Sequence, residues 1–223
     1  MNKPFPYYEV PQFATIAELL EFTKTQYGEK IIFRTKKKKS EETVSYNRLY
    51  DDVIKLATHF HQTYGERTRI AVIGENSYEW IITYFAVVCS NNIIVPIDKE
   101  LASADIAELL KDCEATVFVY SKDYDDIADE LGEPMPALTC INMKSLADYI
   151  ESVSEIQKIE TNKDAPAAII YTSGTTGKSK GVILSQNNIC ADSRHSMTFV
   201  YLYGRTIALL PFHHTFAFTV SVM

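Results

Sequence analysis

The sequence predicts an α/β domain with largely parallel or mixed sheets flanked by helices. Short apolar runs typical of buried strands alternate with segments of helical periodicity, and this alternation favours a largely parallel sheet. The chain's 223 residues are enough to bury a sizeable core. A composition of 46% apolar and 23% charged residues is typical of a folded protein and not of a disordered one.

The first predicted elements are a strand pair and a helix. Ile31–Arg34 and Thr43–Val44 are predicted as short strands on either side of a charged turn. Ser45 stands where it can cap the next helix, and Gly65 ends that helix. The turn contains Lys36–Lys39, a run that also suits nucleic-acid or membrane binding. We favour a solvated hairpin turn, because acidic residues follow the lysines at once.

Alternating strands and helices follow. Strands are predicted at Arg69–Gly74, Ile93–Asp98, Ala115–Tyr120 and Leu138–Asn142. Asn76 and Glu79 form a capping pair that predicts the start of an apolar helix. Ser103 is predicted to cap another helix, which ends near Asp112, and a short helix is predicted over 124–131.

The last third begins with a polar connection over 151–163, where the apolar periodicity fades. The stretch "AAIIYTSGTTGKSKGVILS" (167–185) then predicts a strand, a loop rich in Gly, Ser and Thr, and a second strand. A helix over 187–197 and a strand over 206–214 complete the predicted elements.

Charge and cysteine content narrow the classes of function. The net charge of −7 argues against a nucleic-acid platform, which needs a basic face. The four cysteines are widely spaced and form no Cys-x-x-Cys pair, so we expect reduced thiols in a cytoplasmic protein. The N-terminal "MNKPFPYYEV" lacks the apolar core of a signal peptide, and no apolar run is long enough to span a bilayer.

The loop contains Gly177-Lys178-Ser179, which matches the end of the nucleotide-binding P-loop motif. That motif needs a wider spacing from its first glycine, but only two residues separate Gly174 from Gly177. Its loop also leads into a helix, whereas Gly181–Leu184 is predicted as a strand. The P-loop NTPase interpretation therefore fails. Glycines, hydroxyls and a lysine can still bind an anion, although composition alone fits a flexible surface turn equally well.

The order of residues in this loop indicates a family. The segment "YTSGTTGKSKGV" closely resembles the phosphate-loop signature of the adenylate-forming superfamily, which includes acyl-CoA synthetases, luciferases and the adenylation domains of peptide synthetases. Other segments resemble family motifs in the same order; together these segments are Val44–Leu49, Gly74–Asp98, Tyr171–Val182 and Leu209–Phe218. The resemblance covers nearly the whole chain from about residue 30 onward. It implies the N-terminal domain fold of these enzymes, in an incomplete form.

Three positions depart from the family pattern. Arg48 replaces a usual glutamate, so a capping box is lost after Ser45. Asn91 replaces a usual glycine, but asparagine can still adopt the left-handed conformation. Gln186 stands where the family often has histidine. None of these positions bears on phosphate chemistry.

The resemblance implies a two-step reaction. A carboxylate attacks the α-phosphate of ATP, brought with Mg²⁺, to give an acyl-adenylate and pyrophosphate; a thiol, usually coenzyme A, then displaces AMP. Positioned donors and cations would carry such catalysis. By resemblance, the residues that wrap the β- and γ-phosphates are Thr172, Ser173, Gly174, Thr175, Thr176 and Gly177. Lys180 would hold the leaving pyrophosphate, and Lys178 would point to solvent.

His214 matches the histidine or aromatic position beside the acyl pocket of the family. We favour His214 over its neighbour His213 as the pocket residue, because neighbours on a strand face opposite sides. No residue of the chain is predicted as a metal ligand.

The full-length protein is expected to be an AMP-forming acyl-CoA synthetase for a carboxylic acid, with Phe212, Phe216 and Phe218 favouring a fatty acid. The alternatives are an adenylation domain that activates an amino or aryl acid for a carrier protein, and a non-catalytic scaffold module. Residues 1–223 are expected to form a partial N-terminal, ATP- and acyl-binding domain. The family's adenine, ribose, hinge and catalytic-lysine segments have no counterpart in it, so we expect it to be inactive alone. A homodimer is left open.

Overall fold

The structure is a computed structural model that describes residues 8–36, 40–132, 134–172, 179–199, 207–214 and 218–219. Its α-helices are α1 Ile16–Tyr27, α2 Tyr46–Tyr64, α3 Tyr78–Cys89, α4 Ser103–Asp112, α5 Asp125–Gly132, α6 Leu146–Ser152 and α7 Gln186–Phe199. Its strands are β1 Ile31–Lys36, β2 Glu41–Ser45, β3 Arg69–Ile73, β4 Ile93–Pro96, β5 Val117–Tyr120, β6 Thr139–Asn142, β7 Pro166–Thr172 and β8 Lys180–Ser185.

The strands form one large sheet and one small sheet. The large sheet has the order β6-β5-β3-β4-β7-β8, in which all neighbours are parallel except the antiparallel pair β7 and β8. Strands β1 and β2 form a separate antiparallel pair. The predicted α/β class with a largely parallel sheet is therefore confirmed.

Both faces of the sheet are covered by apolar packing. Along β3, Ile70 and Val72 join one core cluster, whereas Ala71 and Ile73 join the other. This alternation is what the two-residue period of a strand produces when both faces are buried. Helices α1, α2, α3, α6 and α7 contribute to the first cluster, and α4 and α5 contribute to the second.

Helix α3 lies at the centre of the larger cluster. Every residue from Trp80 to Cys89 is buried. A helix that is apolar on all sides is stable only when it is covered on all sides. The sheet covers one side of α3 and α2 covers another, so α3 fixes the position of the loop that leads into it.

Several local predictions are confirmed. Ser45 caps α2 by accepting a hydrogen bond from the backbone N–H of Arg48, and Gly65 ends the helix with a φ of 72°. Asn91 adopts the left-handed conformation with a φ of 60°. The four cysteines are free thiols; Cys89, Cys113 and Cys190 are buried, and Cys140 is half-buried.

Other local predictions are wrong. The hydroxyl of Ser77, and not the side chain of Asn76, caps α3, because the amide of Asn76 binds a distant segment. Ser103 is the first residue of α4, and Ala102 takes the cap position without a side-chain hydrogen bond. Residues 207–214 form turns and irregular backbone in place of the predicted strand.

Two helices were not predicted, and part of one prediction lies outside the described residues. Helix α1 begins with a capping box between Thr15 and Glu18, a signal that the sequence does contain. Helix α6 is only seven residues long. The predicted lysine-rich turn includes residues 37–39, which lie outside the described part of the chain.

Gly74 follows β3 at a point of very close packing, so we expect Gly74→Ala to destabilise the fold. A Cβ at this position would lie 2.8 Å from Cβ and 2.9 Å from Oγ of Ser121. We expect a loss of about 1–3 kcal/mol in the free energy of unfolding, measured by chemical denaturation. Adding Ser121→Gly should recover part of the loss, whereas adding Ser121→Ala, which keeps the Cβ, should recover less. Equal stability of Gly74→Ala and the unaltered chain would contradict this packing argument.

Candidate functional site

The family-like loop joins two antiparallel strands. Thr172 ends β7 and Lys180 begins β8, and the two residues are register partners across the pair. Both are exposed. Partners in an antiparallel pair have Cβ atoms within about 5.5 Å of each other, so the hydroxyl and the ammonium group share the base of the loop. The predicted loop residues Ser173, Gly174, Thr175, Thr176 and Gly177, together with Lys178, lie outside the described part of the chain.

Two contacts fix the base of the loop. Gly181 is the register partner of Tyr171, and a Cβ on Gly181 would lie 2.8 Å from Cγ2 of Ile169 and 3.3 Å from Cζ of Tyr171. The ring of Tyr171 therefore lies over a position that only glycine fills without displacement. The hydroxyl of Tyr171 donates to the carboxylate of Asp112 at the end of α4. Burial and this hydrogen bond raise the pKa of Tyr171 well above its usual value.

The loop emerges at the edge of the sheet where the parallel strands end, which we call the carboxyl edge. Strand β7 runs parallel to β4, and β4 runs parallel to β3. The residues that follow β3 and β4 therefore lie at the same edge as Thr172. An ion pair of 2.7 Å between Glu75 and Lys99 joins the two connections. In α/β sheets, ligands bind at this edge, near the point where the strand order reverses. Here that point lies between β3 and β5, because the chain passes from β3 to β4 on one side and then returns to β5 on the other side of β3.

Residues 207–214 also lie at the carboxyl edge. We call them the docked segment. The side chain of Asn76 makes hydrogen bonds to the backbone of residues 208, 210 and 212. Phe212 is buried, and its ring packs 5.7 Å from the ring of Trp80 on α3. The docked segment thereby carries both histidines of the "PFHH" motif to the ends of β3 and β4.

The two histidines differ in environment. The side chain of His213 is only 8% exposed, and its Nε2 lies 3.3 Å from Oδ1 of Asp98. The geometry of this contact does not make a hydrogen bond, so Nε2 has no hydrogen-bond partner within the described residues. Burial lowers the pKa of His213, and the nearby Asp98 carboxylate opposes that shift. His214 is exposed, and its backbone N–H donates to the carbonyl of Pro211.

A cavity of about 270 Å³ opens beside His213. Its walls are mostly apolar side chains from the sheet, α3, α7, the docked segment and residue 218: Tyr84, Pro96, Ile170, Leu184, Ile189, Phe212 and Phe218. Its polar lining residues are Asn188, Asp192, His213 and Thr219. The hydroxyl of Thr219 donates to Asp192 at 2.9 Å. An apolar chamber with a few polar groups is typical of a small-molecule site.

The structure brings only some of the predicted site residues together. Thr172 and Lys180 share the base of the hairpin loop, whereas His214 lies on the docked segment. The preference for His214 over His213 depended on a strand, and the described backbone there is a turn. The side chain that lines the cavity is that of His213, and a role for His214 stays a prediction.

Asn76, Asp98 and Asp192 were not predicted from the sequence as parts of this region. The position of Asp98 directly after a buried strand was an available signal, because parallel strands end at one edge. The positions of Asn76 and Asp192 depend on contacts with residues that are distant in sequence. Across the described residues, no group of three or more His, Cys, Asp and Glu side chains is placed to hold a metal ion. None of the described helices is long and apolar enough to cross a membrane.

The sequence is similar to enzymes of a known family. The profile of the AMP-binding enzyme family matches residues 20–223. A CoA ligase of Gibberella moniliformis is 28% identical over 152 residues, which are 66% of this chain and 25% of the ligase. Tyrocidine synthase 3 of Brevibacillus parabrevis is 29% identical over 182 residues, which are 81% of this chain and 3% of the synthase.

A solved structure shares the fold. The inhibitor-bound N-terminal domain of FACL13 from Mycobacterium tuberculosis superposes with a TM-score of 0.81 at 23% identity, over 93% of this chain and 54% of that domain. The chain thus spans about half of this structure and about a quarter of the Gibberella ligase. Since the family profile covers nearly all of the sequence, the chain belongs to the AMP-binding enzyme family.

Proposed function

We propose that this chain is the N-terminal, ATP- and acid-binding part of an AMP-forming acyl-CoA synthetase. One observation carries the proposal: Thr172 and Lys180, at the base of the β7–β8 loop, lie at the same edge of one largely parallel sheet as the cavity-lining docked segment. Adenylate formation requires a polyphosphate site and a carboxylic-acid site side by side. Membership of the AMP-binding enzyme family supplies the reaction class.

The hairpin residues fit a polyphosphate. Thr172 offers a hydroxyl donor and Lys180 offers a positive charge, and both are exposed at the base of the loop. We propose that Thr172 and Lys180 bind the β- and γ-phosphates of ATP together with residues 173–177. Lys180 would neutralise the charge that develops on the leaving pyrophosphate, which is the kind of electrostatic stabilisation that most accelerates such transfers. Mg²⁺ would arrive with ATP, and coenzyme A would accept the acyl group.

The cavity fits the apolar part of a carboxylic acid. Most of its lining side chains are apolar, and Phe212 and Phe218 contribute aromatic walls. His213 also lines this cavity, and its burial lowers the pKa of the ring and so favours the neutral form. We propose that the histidine pair lies near the carboxyl group of the acid, with His213 along the cavity and His214 at its exposed side. A fatty acid is the substrate class that these walls favour.

An adenylation domain that loads an amino acid on a carrier protein is the second candidate. The similarity to tyrocidine synthase 3 favours it, and so does the carboxylate of Asp192 in the cavity lining. The similarity to a CoA ligase and the apolar walls favour the first candidate. We further propose that residues 1–223 form part of the N-terminal domain, and that they bind phosphates without completing the reaction alone. If the chain is instead a non-catalytic scaffold module, it should not bind nucleotide.

The phosphate site is tested by Lys180→Ala. We expect the variant to bind ATP or pyrophosphate about 10- to 100-fold more weakly, since a charge-assisted contact contributes about 1.5–3 kcal/mol. Isothermal titration of the 223-residue chain measures this difference. Lys158→Ala is the matched control, because Lys158 is an exposed lysine on the connection before β7. Equal affinities of Lys180→Ala and the unaltered chain would remove Lys180 from the site.

The acid site is tested by Leu184→Trp, which adds volume to the cavity wall. In acid-dependent ATP–pyrophosphate exchange by the full-length protein, we expect the largest losses for the longest fatty acids, with the KM for ATP unchanged. Ile183→Trp is the control on the same strand, because the side chain of Ile183 is 63% exposed and does not line the cavity. Exchange that depends on amino acids and not on fatty acids would select the second candidate. Equal losses at every acid length would show that the cavity is not the acid site.

A further inference from the structure

Asn76 stands in the connection between β3 and α3, but it does not serve the helix that follows it. The hydroxyl of Ser77 accepts the backbone N–H of Trp80 and so provides the cap of α3. The side chain of Asn76 is therefore left for another partner. It reaches residues more than 130 positions later in the chain.

The amide of Asn76 matches the backbone of the docked segment. Its Nδ2 donates to the carbonyls of Leu210 at 2.8 Å and Ala208 at 3.3 Å, and its Oδ1 accepts the N–H of Phe212 at 2.9 Å. Both donors and one acceptor site are thus used. Among neutral side chains, only an amide offers two N–H donors and a carbonyl on one planar group.

Apolar burial does not hold the first half of the docked segment. Ile207 and Leu209 are each 81% exposed, and Leu210 is 52% exposed. The backbone hydrogen bonds that the segment makes within itself, from Leu209 to Ile207 and from His214 to Pro211, do not attach it to the sheet. Phe212, which is 6% exposed and packs on Trp80, is the apolar anchor next to the Asn76 contacts.

The connection that carries Asn76 is itself firmly held. Gly74 packs against Ser121 so closely that no Cβ fits between them. Glu75 pairs with Lys99, directly after Asp98, the residue that lies 3.3 Å from His213. The same connection therefore contacts the docked segment through Asn76, and through Glu75 it contacts the residue next to Asp98.

We propose that Asn76 is a positioning residue that clamps residues 207–214 to the carboxyl edge and thereby places His213 at the cavity. The contacts that dock the segment are present in this chain whatever reaction it serves. Their consequence for an acid substrate rests on the proposed function. Without the clamp, the described attachments that remain are the packing of Phe212 on Trp80 and the hydrogen bond from the backbone N–H of Phe218 to the carbonyl of His214, so His213 would be held less firmly beside Asp98.

Two variants and a control test the clamp. Asn76→Asp keeps the shape of the side chain but places carboxylate oxygens against two carbonyls, and Asn76→Ala removes every contact without adding charge. The control is Asn91→Asp, because Nδ2 of Asn91 also donates two hydrogen bonds, to Glu66 and to the carbonyl of Glu160. Asn91 precedes β4 and therefore lies at the opposite edge of the sheet.

The first readout is amide hydrogen exchange of Phe212, whose N–H is bound by Asn76. In the unaltered chain, this amide should already exchange more slowly than in an unfolded chain. Both Asn76 variants should speed its exchange about tenfold or more, the factor that corresponds to about 1.4 kcal/mol. Fluorescence is the second readout, because Trp80 is the only tryptophan in the chain and contacts Phe212. Its emission should shift to longer wavelength in both Asn76 variants and not in Asn91→Asp.

The third readout is the pH titration of His213, followed by NMR and assigned with His213→Gln. Burial lowers the pKa of His213, and the charged or titratable neighbours that act on it are Asp98, Lys99, Glu100 and His214. Protonation therefore opposes docking, so docking should weaken as the pH falls from about 6.5 toward the lowered value. Release of the segment in Asn76→Ala should return the pKa of His213 toward about 6.5.

The outcomes separate this inference from the proposed function. Two results would overturn the clamp. The first is a Phe212 amide that exchanges as fast as in an unfolded chain. The second is a pair of Asn76 variants that stay folded by circular dichroism and leave the Phe212 exchange rate, the Trp80 emission and the His213 pKa unchanged. In the full-length protein, both Asn76 variants should raise the KM for the acid while the KM for ATP stays constant. Absence of any acid-dependent exchange in the unaltered protein would reject the proposed function, and the three physical readouts would still decide on Asn76.

Discussion

The parallel pairing of β3, β4 and β7 is the constraint on which the rest of the structure depends. Because the three strands run in the same direction, the connections after β3 and β4 and the hairpin loop after β7 must emerge at one edge. The antiparallel β8 then returns from that edge and brings Lys180 beside Thr172. The burial of α3 on the sheet fixes the connection after β3 more firmly than hydrogen bonds at the surface would. Chemistry at this edge therefore follows from packing that lies well away from it.

The sequence predicted the fold to the extent that local patterns report burial. Apolar runs bounded by polar residues predicted β3 to β7, because a strand that is covered on both faces buries every side chain and is therefore apolar along its length. The same reasoning failed at residues 207–214, where "IALLPFHH" is apolar but Ile207 and Leu209 are exposed. Pro211 interrupts any strand there, since it cannot donate a ladder hydrogen bond. Asn76 was assigned to a helix cap for a comparable reason: a local role was visible in the sequence, and the distant partner was not.

For the candidate site, the sequence predicted the hairpin and its lysine but not the surroundings of the histidines. Motif order carries the loop prediction, because glycines and hydroxyls at fixed spacing serve a backbone function that needs no distant partner. The choice between His213 and His214 needed the backbone conformation of a segment that is held only by tertiary contacts. Asp98 and Asp192 belong to strand and helix ends that converge through the topology of the sheet. The parts of the candidate site that local sequence encodes could be predicted from the sequence. The parts that the topology of the sheet brings together could not.

The two halves of the site are attached to the sheet in different ways, and this has a consequence for how they function together. The hairpin is continuous with β7 and β8 and is braced by Tyr171 on Asp112. The docked segment is held by the amide of Asn76, the buried ring of Phe212 and a hydrogen bond from the Phe218 N–H to the His214 carbonyl, which together are a weaker attachment than a strand ladder. Its histidine is buried in the neutral form, so docking and protonation oppose each other. Displacement of the docked segment would break none of the strand pairing that positions the β7–β8 hairpin. In the proposed function, the acid side is therefore the half that can adjust, and the phosphate side is the half that the sheet holds in place.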